Sequence, residues 1–281
     1  MDELTGKVAV VTGAASGIGL AMAERFARDG MRLALADVDE TGLEAAAKSI
    51  ADRDVETLAV PTDVASSDAV EELARQTFDR FGNAHVICNN AGVVGHGNTN
   101  WEGTLSDWEW VLGVNLMGVV HGIRAFVPRL VEQNEGHVVN TASLAGLGAI
   151  PFMAPYSATK HAVVAISEAL FHELQLSGSA VRVTVLCPGF LNTRIAEFGR
   201  NWPERLGPRP ELSDDPGAQF IRNMATTMVE QGPSPTALAD AVADAITTGR
   251  YMITTDAAMT AAAMSSRQGQ VDGNEPVLPL G

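Results

Sequence analysis

The chain is sparing with several residue types, and each scarcity removes a class of function. Its 281 residues include only two cysteines, two tyrosines and three lysines. Cys88 and Cys187 each stand in or beside an apolar run, and their spacing suits neither a disulfide framework nor a set of metal ligands. Positive charge is short as well: 19 Lys and Arg face 34 Asp and Glu, for a formal net charge of −15. Nucleic-acid binding needs clustered cations that neutralise phosphates, so no nucleic-acid partner is expected. The acidity reads as a solubility feature. The N-terminus, MDELTGK, is acidic and lacks the apolar core of a signal peptide. No apolar run is expected to reach membrane-spanning length. The reading is a cytoplasmic protein acting on small molecules, with no metal and no membrane partner.

What the chain does contain is alternation. Apolar runs of strand length at 7–12, 31–37, 84–90, 136–143 and 181–188 are separated by segments of helical period. A weaker strand is expected at 55–60 and a late one at 250–255. Runs apolar on both faces suit a parallel sheet covered on both sides. The pattern predicts an α/β fold: one Rossmann-like, doubly wound parallel sheet of about seven strands in the order 3-2-1-4-5-6-7. The expected division is one domain over 1–255, with a loop or lid at 194–233 inside it, and an irregular tail over 256–281. Helix starts are expected at Thr41 with Glu44, at Ser106 with Glu109, and at Ser234 with Pro235, and a helix end is expected at Gly30.

The turn from the first strand into the first helix reads TGAASGIG, with Gly13, Gly17 and Gly19 around Ser16 and Ile18. Glycines permit the tight turn and let the backbone approach a pyrophosphate, which the helix N-terminus then holds through free N–H groups. A tight turn without a ligand would use the same residues, so position matters: the loop lies at the first strand–helix junction. Asp37 follows 18 residues after Gly19, at the end of the second strand. A carboxylate there accepts from ribose hydroxyls and repels a 2′-phosphate. Residue 38 is valine and residue 16 is serine, so no arginine stands at either place to receive such a phosphate. NAD is the expected cofactor rather than NADP.

One of the two tyrosines and one of the three lysines fall together in PYSATK, as Tyr156 and Lys160. Four residues apart on a helix, they share a face. A phenol is a poor base near neutral pH, and a fixed ammonium or an oxidised nicotinamide close by is expected to lower its pKa. The pair then suits proton exchange with an alcohol or carbonyl. Ser143 stands thirteen residues upstream, where the fifth strand ends at the ligand-binding edge of such sheets.

Together these residues resemble the short-chain dehydrogenase/reductase family, in its short single-domain branch, over roughly residues 5–195. The glycine loop, Asp63–Val64, the NNAG of 89–92, Asn115, Ser143, Tyr156, Lys160 and the PGFLNT of 188–193 stand in the family's order. The resemblance implies that Tyr156 is the acid/base, that Lys160 tunes it and binds the nicotinamide ribose, and that Ser143 positions the substrate oxygen. It implies that Asn115 helps hold a proton-relaying water chain. It assigns Asp63, Val64, Asn90, Ala91, Gly92, Pro188, Gly189, Leu191 and Thr193 to the cofactor.

The resemblance also has gaps. The usual glycine-rich final strand is missing, and VDGN at 271–274 follows no apolar strand run. The family's tetramer is therefore in doubt, and a homodimer through helices at 106–131 and 156–176 is the safer expectation. The segments at 93–103, 144–155 and 198–210 are expected to line the substrate pocket. They bring Trp101, Leu147, Ile150, Phe152, Met153, Phe198 and Trp202, which suggest a bulky, apolar secondary alcohol or ketone. His96 is either a substrate contact or a solvated loop residue. Arg194, Arg200 and Arg205 leave open an anionic substrate, as in a β-ketoacyl-type reductase. A nicotinamide-sensing protein without turnover is the reading from another class, and it has no need of Asn115, Ser143, Tyr156 and Lys160 together.

Overall fold

Seven parallel strands run through the centre of the molecule. The computed structural model describes residue 1 and residues 3–278. It contains β1 (Val8–Thr12), β2 (Arg32–Asp37), β3 (Thr57–Pro61), β4 (Val86–Asn89), β5 (His137–Thr141), β6 (Arg182–Cys187) and β7 (Met252–Thr254). They pair in the order β3-β2-β1-β4-β5-β6-β7, as the alternation predicts. Alternate side chains of β1 serve opposite layers. Ala9 and Val11 join a core closed by α1 (Gly17–Arg28), α2 (Glu40–Ala51) and α8 (Thr236–Thr248). Val8 and Val10 join the core under α3 (Ser67–Phe81), α5 (Gly118–Glu132) and α6 (Ala154–Leu176). The chain crosses in opposite directions on the two sides of the β1–β4 pair, so a crevice opens beyond the carboxyl ends of these strands.

Several local expectations are corrected. The cap of α2 is Asp39, whose Oδ1 accepts from Gly42 N at 3.0 Å, not Thr41. The cap of α4 (Leu105–Leu112) is Thr104, which accepts from Asp107 N, not Ser106. In both places a short polar side chain upstream reaches the free N–H groups first. α8 begins at Thr236, one residue beyond the proline expected to open it. Gly30 does follow the end of α1, with φ 78°.

The helix expected at 106–131 is continuous but not uniform. α4 passes through a π-turn, Gly113–Met117, into α5. The whole stretch Leu105–Glu132 is long and apolar enough to cross a membrane by length and composition, contrary to expectation. Here its second half packs on α3, β4 and β5, the place of a core helix.

Residues 194–233 carry regular structure that was not expected. Short 3-10 turns at Arg194–Ala196 and Glu204–Leu206 precede α7 (Pro216–Glu230). Asp215 caps α7 by accepting from Ala218 N at 2.9 Å, and Pro216 occupies its first turn. The tail is irregular only beyond residue 271, over the described 272–278: Ala257–Val271 is α9, capped by Asp256. Its alanines favour helix, Ala263 is buried, and Arg267 donates to the Leu147 carbonyl at 3.3 Å. The VDGN motif is the end of this helix rather than a strand. Residues 279–281 of the tail lie outside the described residues.

Candidate active site

A cleft of about 430 Å³ opens at the carboxyl edge of the sheet. One end is lined by Gly13, Ser16, Gly17, Ile18, Asp37, Asp63 and Val64, and its middle by Asn90, Ala91 and Gly92. A further wall holds Ser143, Tyr156, Lys160, Pro188, Gly189 and Leu191, and Thr193 lies against Gly17 of the glycine loop.

The glycine loop is packed as its sequence requires. Gly13 and Gly17 take φ 67° and 58°, a region that favours glycine. Any side chain on Gly19 would drive into the Gly13 carbonyl, so Gly19 supports the loop from below rather than lining the cleft. A Cβ on Gly13 would lie 2.9 Å from Ala91 Cα, so loop and β4 end sit against one another. Asp37 is fixed by backbone on two sides. Its Oδ2 accepts from Ala15 N at 2.9 Å and its Oδ1 from Asp39 N at 3.0 Å.

Asn90 ties the strand ends together. Its amide donates to the Thr12 carbonyl at 2.9 Å, and its oxygen accepts from Thr141 Oγ1 at 3.2 Å. Asn115 is fully buried in the π-turn and does not line the cleft. Its Oδ1 accepts from Val93 N at 2.8 Å, and its Nδ2 donates to Val93 O at 2.9 Å and to Thr159 Oγ1 at 3.3 Å. A π-turn adds a residue to one helical turn and commonly marks functional positions.

Tyr156 lies in the first turn of α6, half-buried, and Lys160 lies one turn on, buried. Lys160 Nζ donates to the Thr141 carbonyl at 2.8 Å and stands 5.6 Å from the centre of the Tyr156 ring. Burial draws the Lys160 ammonium down to about 8. The expected lowering of Tyr156 is not found in the chain's own groups. Burial holds its hydroxyl above the usual phenol range, and the Ser143 hydroxyl draws it partly back. The ammonium, itself desolvated and engaged with the Thr141 carbonyl, is not among the causes that shift the phenol.

Beyond Tyr156 the cleft widens into an apolar chamber. Val94, Met153 and Ile221 form its buried lining, with Ile150, Ile195, Phe198, Met224 and Ala225 packed against them. Of the expected substrate residues, Ile150, Met153, Phe198 and Trp202 line the cleft. Four others do not. Trp101 is 82% exposed, outside the cleft. Leu147 turns into a core with Val163 and Ala263, under α9. Phe152, at φ 61°, packs against the chamber's apolar residues from outside the cleft, with its ring against Gly217 at the start of α7. His96 is neither a lining residue nor solvated: it is 1% exposed, with Nδ1 2.6 Å from Asp107 Oδ1 and its ring edge-on to Trp202. The arginines left open for an anionic substrate are all engaged, Arg194 with Glu197, Arg200 with Asp39 and Arg205 with Glu109.

The sequence reading missed Trp110 and the α7 wall. Trp110 is buried, lines the cleft and packs against Trp202 with ring centres 5.3 Å apart. For α7 the signal was present: Asp-Pro followed by Ile221, Met224 and Ala225 is a capped helix with apolar residues at helical spacing.

The sheet order, glycine loop and cleft are those of a Rossmann-like oxidoreductase. The chain matches the family model described as short chain dehydrogenase over residues 7–204. It is 44% identical over 219 residues to a 1-deoxy-11-beta-hydroxypentalenate dehydrogenase of Streptomyces arenae, spanning 76% of this chain and 77% of the relative. It is 31% identical over 264 residues to a CLA biosynthesis dehydrogenase/reductase of Lactiplantibacillus plantarum, spanning 91% and 90%. A short chain dehydrogenase/reductase from Burkholderia phymatum, solved in complex with NAD, is similar over 100% of both chains, with TM-score 0.94 and 41% identity. The chain belongs to the short-chain dehydrogenase/reductase family of oxidoreductases.

Proposed function

We propose that the protein is an NAD-dependent dehydrogenase that interconverts a bulky, largely apolar secondary alcohol and its ketone. The observation that carries this reading is the position of Tyr156. It packs into the apolar chamber of Val94, Met153 and Ile221, and it lines the same cleft as the glycine loop and Asp37. The relative named as a hydroxypentalenate dehydrogenase supports an alcohol as substrate.

The cleft fits a dinucleotide. Gly13 and Gly17 line it without side chains, and α1 begins there at Gly17, so its free N–H groups suit a pyrophosphate. The anchored Asp37 suits a ribose diol and opposes a 2′-phosphate, which favours NAD. Asp63 and Val64 would border the adenine, Asn90, Ala91, Gly92 and Lys160 the nicotinamide ribose, and Pro188, Gly189, Leu191 and Thr193 the carboxamide. Bound NAD supplies the hydride acceptor.

The chain's own residues then handle the proton. Ser143 donates to the substrate oxygen and stabilises charge there. During oxidation the Tyr156 phenolate takes the hydroxyl proton as the carbon loses its hydride and the C=O bond forms. During reduction Tyr156 returns that proton. Because burial alone raises Tyr156, the phenolate depends on Lys160 together with the positive charge of the oxidised nicotinamide. Asn115 holds the Val93 backbone and Thr159 in place, beside the path through Lys160 by which the proton would reach solvent.

A β-ketoacyl-type reductase would need free cations at the mouth of the cleft, whereas Arg194, Arg200 and Arg205 are paired with carboxylates. We further propose one domain over 1–255, with 194–233 as the substrate lid and 256–281 as an appended tail, in a cytoplasmic homodimer or homotetramer. Apolar Met117, Val131 and Leu176 are exposed on the helices that would meet. The test follows the reduced-nicotinamide absorbance while hydrophobic secondary alcohols are screened with NAD and with NADP. Turnover with NAD and bulky alcohols is expected. Tight NAD binding with no turnover across a broad panel would favour a sensor instead.

A further inference from the structure

We infer that Arg194 and Arg200 are the cations that would receive a 2′-phosphate in this chain, and that Asp37 and Asp39 together keep them from doing so. The inference rests on the dinucleotide reading above and names what sets the choice between NAD and NADP. Sequence neighbours of the ribose carboxylate offer no arginine, but the fold brings two from the lid. Arg200 Nη1 lies 3.3 Å from Asp39 Oδ2, across 161 residues of chain. Arg194 Nη1 approaches the same oxygen at 3.8 Å. Both arginines line the cleft with Gly13, Ser16 and Asp37.

Their position is built rather than accidental. Thr193 precedes Arg194 and lays its methyl against the glycine loop, where a Cβ on Gly17 would lie 3.2 Å from Thr193 Cγ2. The lid therefore starts directly over the phosphate end of the cleft. Glu197 then fixes both guanidinium groups, holding Arg194 through two bonds of 2.7 Å and Arg200 at 3.6 Å. Asp39 is in turn fixed, because its other oxygen caps α2.

The charges decide what can enter. Arg194, Arg200, Glu197 and Asp39 balance one another, and Asp37 adds an unbalanced negative charge held in place by two backbone N–H groups. A 2′-phosphate would meet Asp37 directly and would have to displace Asp39 from Arg200. With both carboxylates neutral, the two guanidinium groups would be held by Glu197 alone, leaving one positive charge unbalanced, and their remaining planar donors match phosphate oxygens.

Calorimetric titration of NAD and of NADP tests this at low and high salt. The proteins are the wild type, Asp37→Asn, Asp37→Asn/Asp39→Asn, and that double variant with Arg194→Gln and Arg200→Gln added. Asparagine retains the cap of α2 and an acceptor oxygen at residue 37. Wild type is expected to bind NAD at least about tenfold more tightly than NADP, since charge-assisted hydrogen bonds carry differences of this order. The double asparagine variant should gain at least about tenfold in NADP affinity, in a salt-sensitive way, and lose that gain when the arginines are removed. The inference is overturned by no gain in the double variant, by a gain that survives loss of both arginines, or by a wild type that prefers NADP. A wild type that binds neither dinucleotide would overturn the cofactor reading itself, and the inference with it.

Discussion

His96 and Asp107 form a pair 2.6 Å apart, with side chains only 1% and 4% exposed, behind the tryptophans of the substrate wall. Asp107 also accepts from the His96 backbone N–H, so one carboxylate fixes both the loop and the ring. Asp107→Ala would leave a buried imidazole without its partner. A loss of about 2–4 kcal/mol is expected in urea unfolding, the range for breaking a buried polar pair. KM for bulky alcohols should rise while NAD affinity holds, because Trp110 and Trp202 lose their backing. Unchanged stability would show that the pair is dispensable.

Tyr156→Phe should lower turnover by roughly 10²–10⁴-fold, the usual contribution of a positioned acid/base, with NAD affinity retained. The pH profiles give a finer check. Oxidation needs the phenolate and should rise with pH, whereas ketone reduction needs the phenol and should fall. The Ser143 hydroxyl lowers the Tyr156 pKa against the upward effect of burial. Residual oxidation by Ser143→Ala should therefore have its rising limb at higher pH than wild type. A limb that stays in place would show that Ser143 does not bear on Tyr156.

The opposite edge of the sheet carries an acid-sensitive group. His137 is fully buried at the start of β5, shares a 2.7 Å hydrogen bond with Thr184 Oγ1, and is drawn down to about 3, chiefly by burial. The unfolded chain binds a proton near the ordinary histidine value and the folded chain does not. The stability from this group is thus complete above about 6.5 and declines as pH falls toward 3, by roughly 1.4 kcal/mol per pH unit. His85, also lowered by burial, acts in the same direction. Urea midpoints measured from pH 7 to 4.5 should fall less steeply in His137→Leu than in wild type. Equal slopes would assign the acid sensitivity elsewhere.

Met224 belongs to the apolar chamber from the side of α7. Met224→Trp would fill space that the proposed substrate needs. kcat/KM for a bulky secondary alcohol should fall by about tenfold or more, since small volume mismatches in apolar pockets carry differences of this size. A small alcohol such as 2-propanol should be much less affected. An equal loss for both would place α7 away from the substrate.

The sheet was legible because its strands are uniformly apolar and its helices carry clear periods, so local pattern and global topology agree. The cofactor end was legible because its chemistry falls on short, contiguous motifs. The substrate end was not. His96 reads as a loop histidine until Asp107, eleven residues on, is seen to fold back over it. Leu147 reads as pocket lining until α9 arrives to cover it, and α9 carries no strong amphipathic stripe to announce itself. Arg200 and Asp39 meet across 161 residues of chain, which no local spacing encodes. Tyr156 does line the cleft, but its expected pKa rested on nearby positive charge, and desolvation depends on packing that only the fold reveals.

The π-turn at Gly113–Met117 fixes the rotational phase between two halves of one helix. An α-helix turns about 100° per residue, so one inserted residue rotates everything on one side relative to the other by about that angle. Trp110 lies before the turn and faces the cleft, Asn115 lies within it and faces Val93, and Phe126 lies after it and faces the sheet core. The same residues wound as an uninterrupted α-helix would put these three orientations out of step by about that angle. The cleft wall, the anchor of the Val93 backbone and the core are thus set relative to one another by a single π-turn.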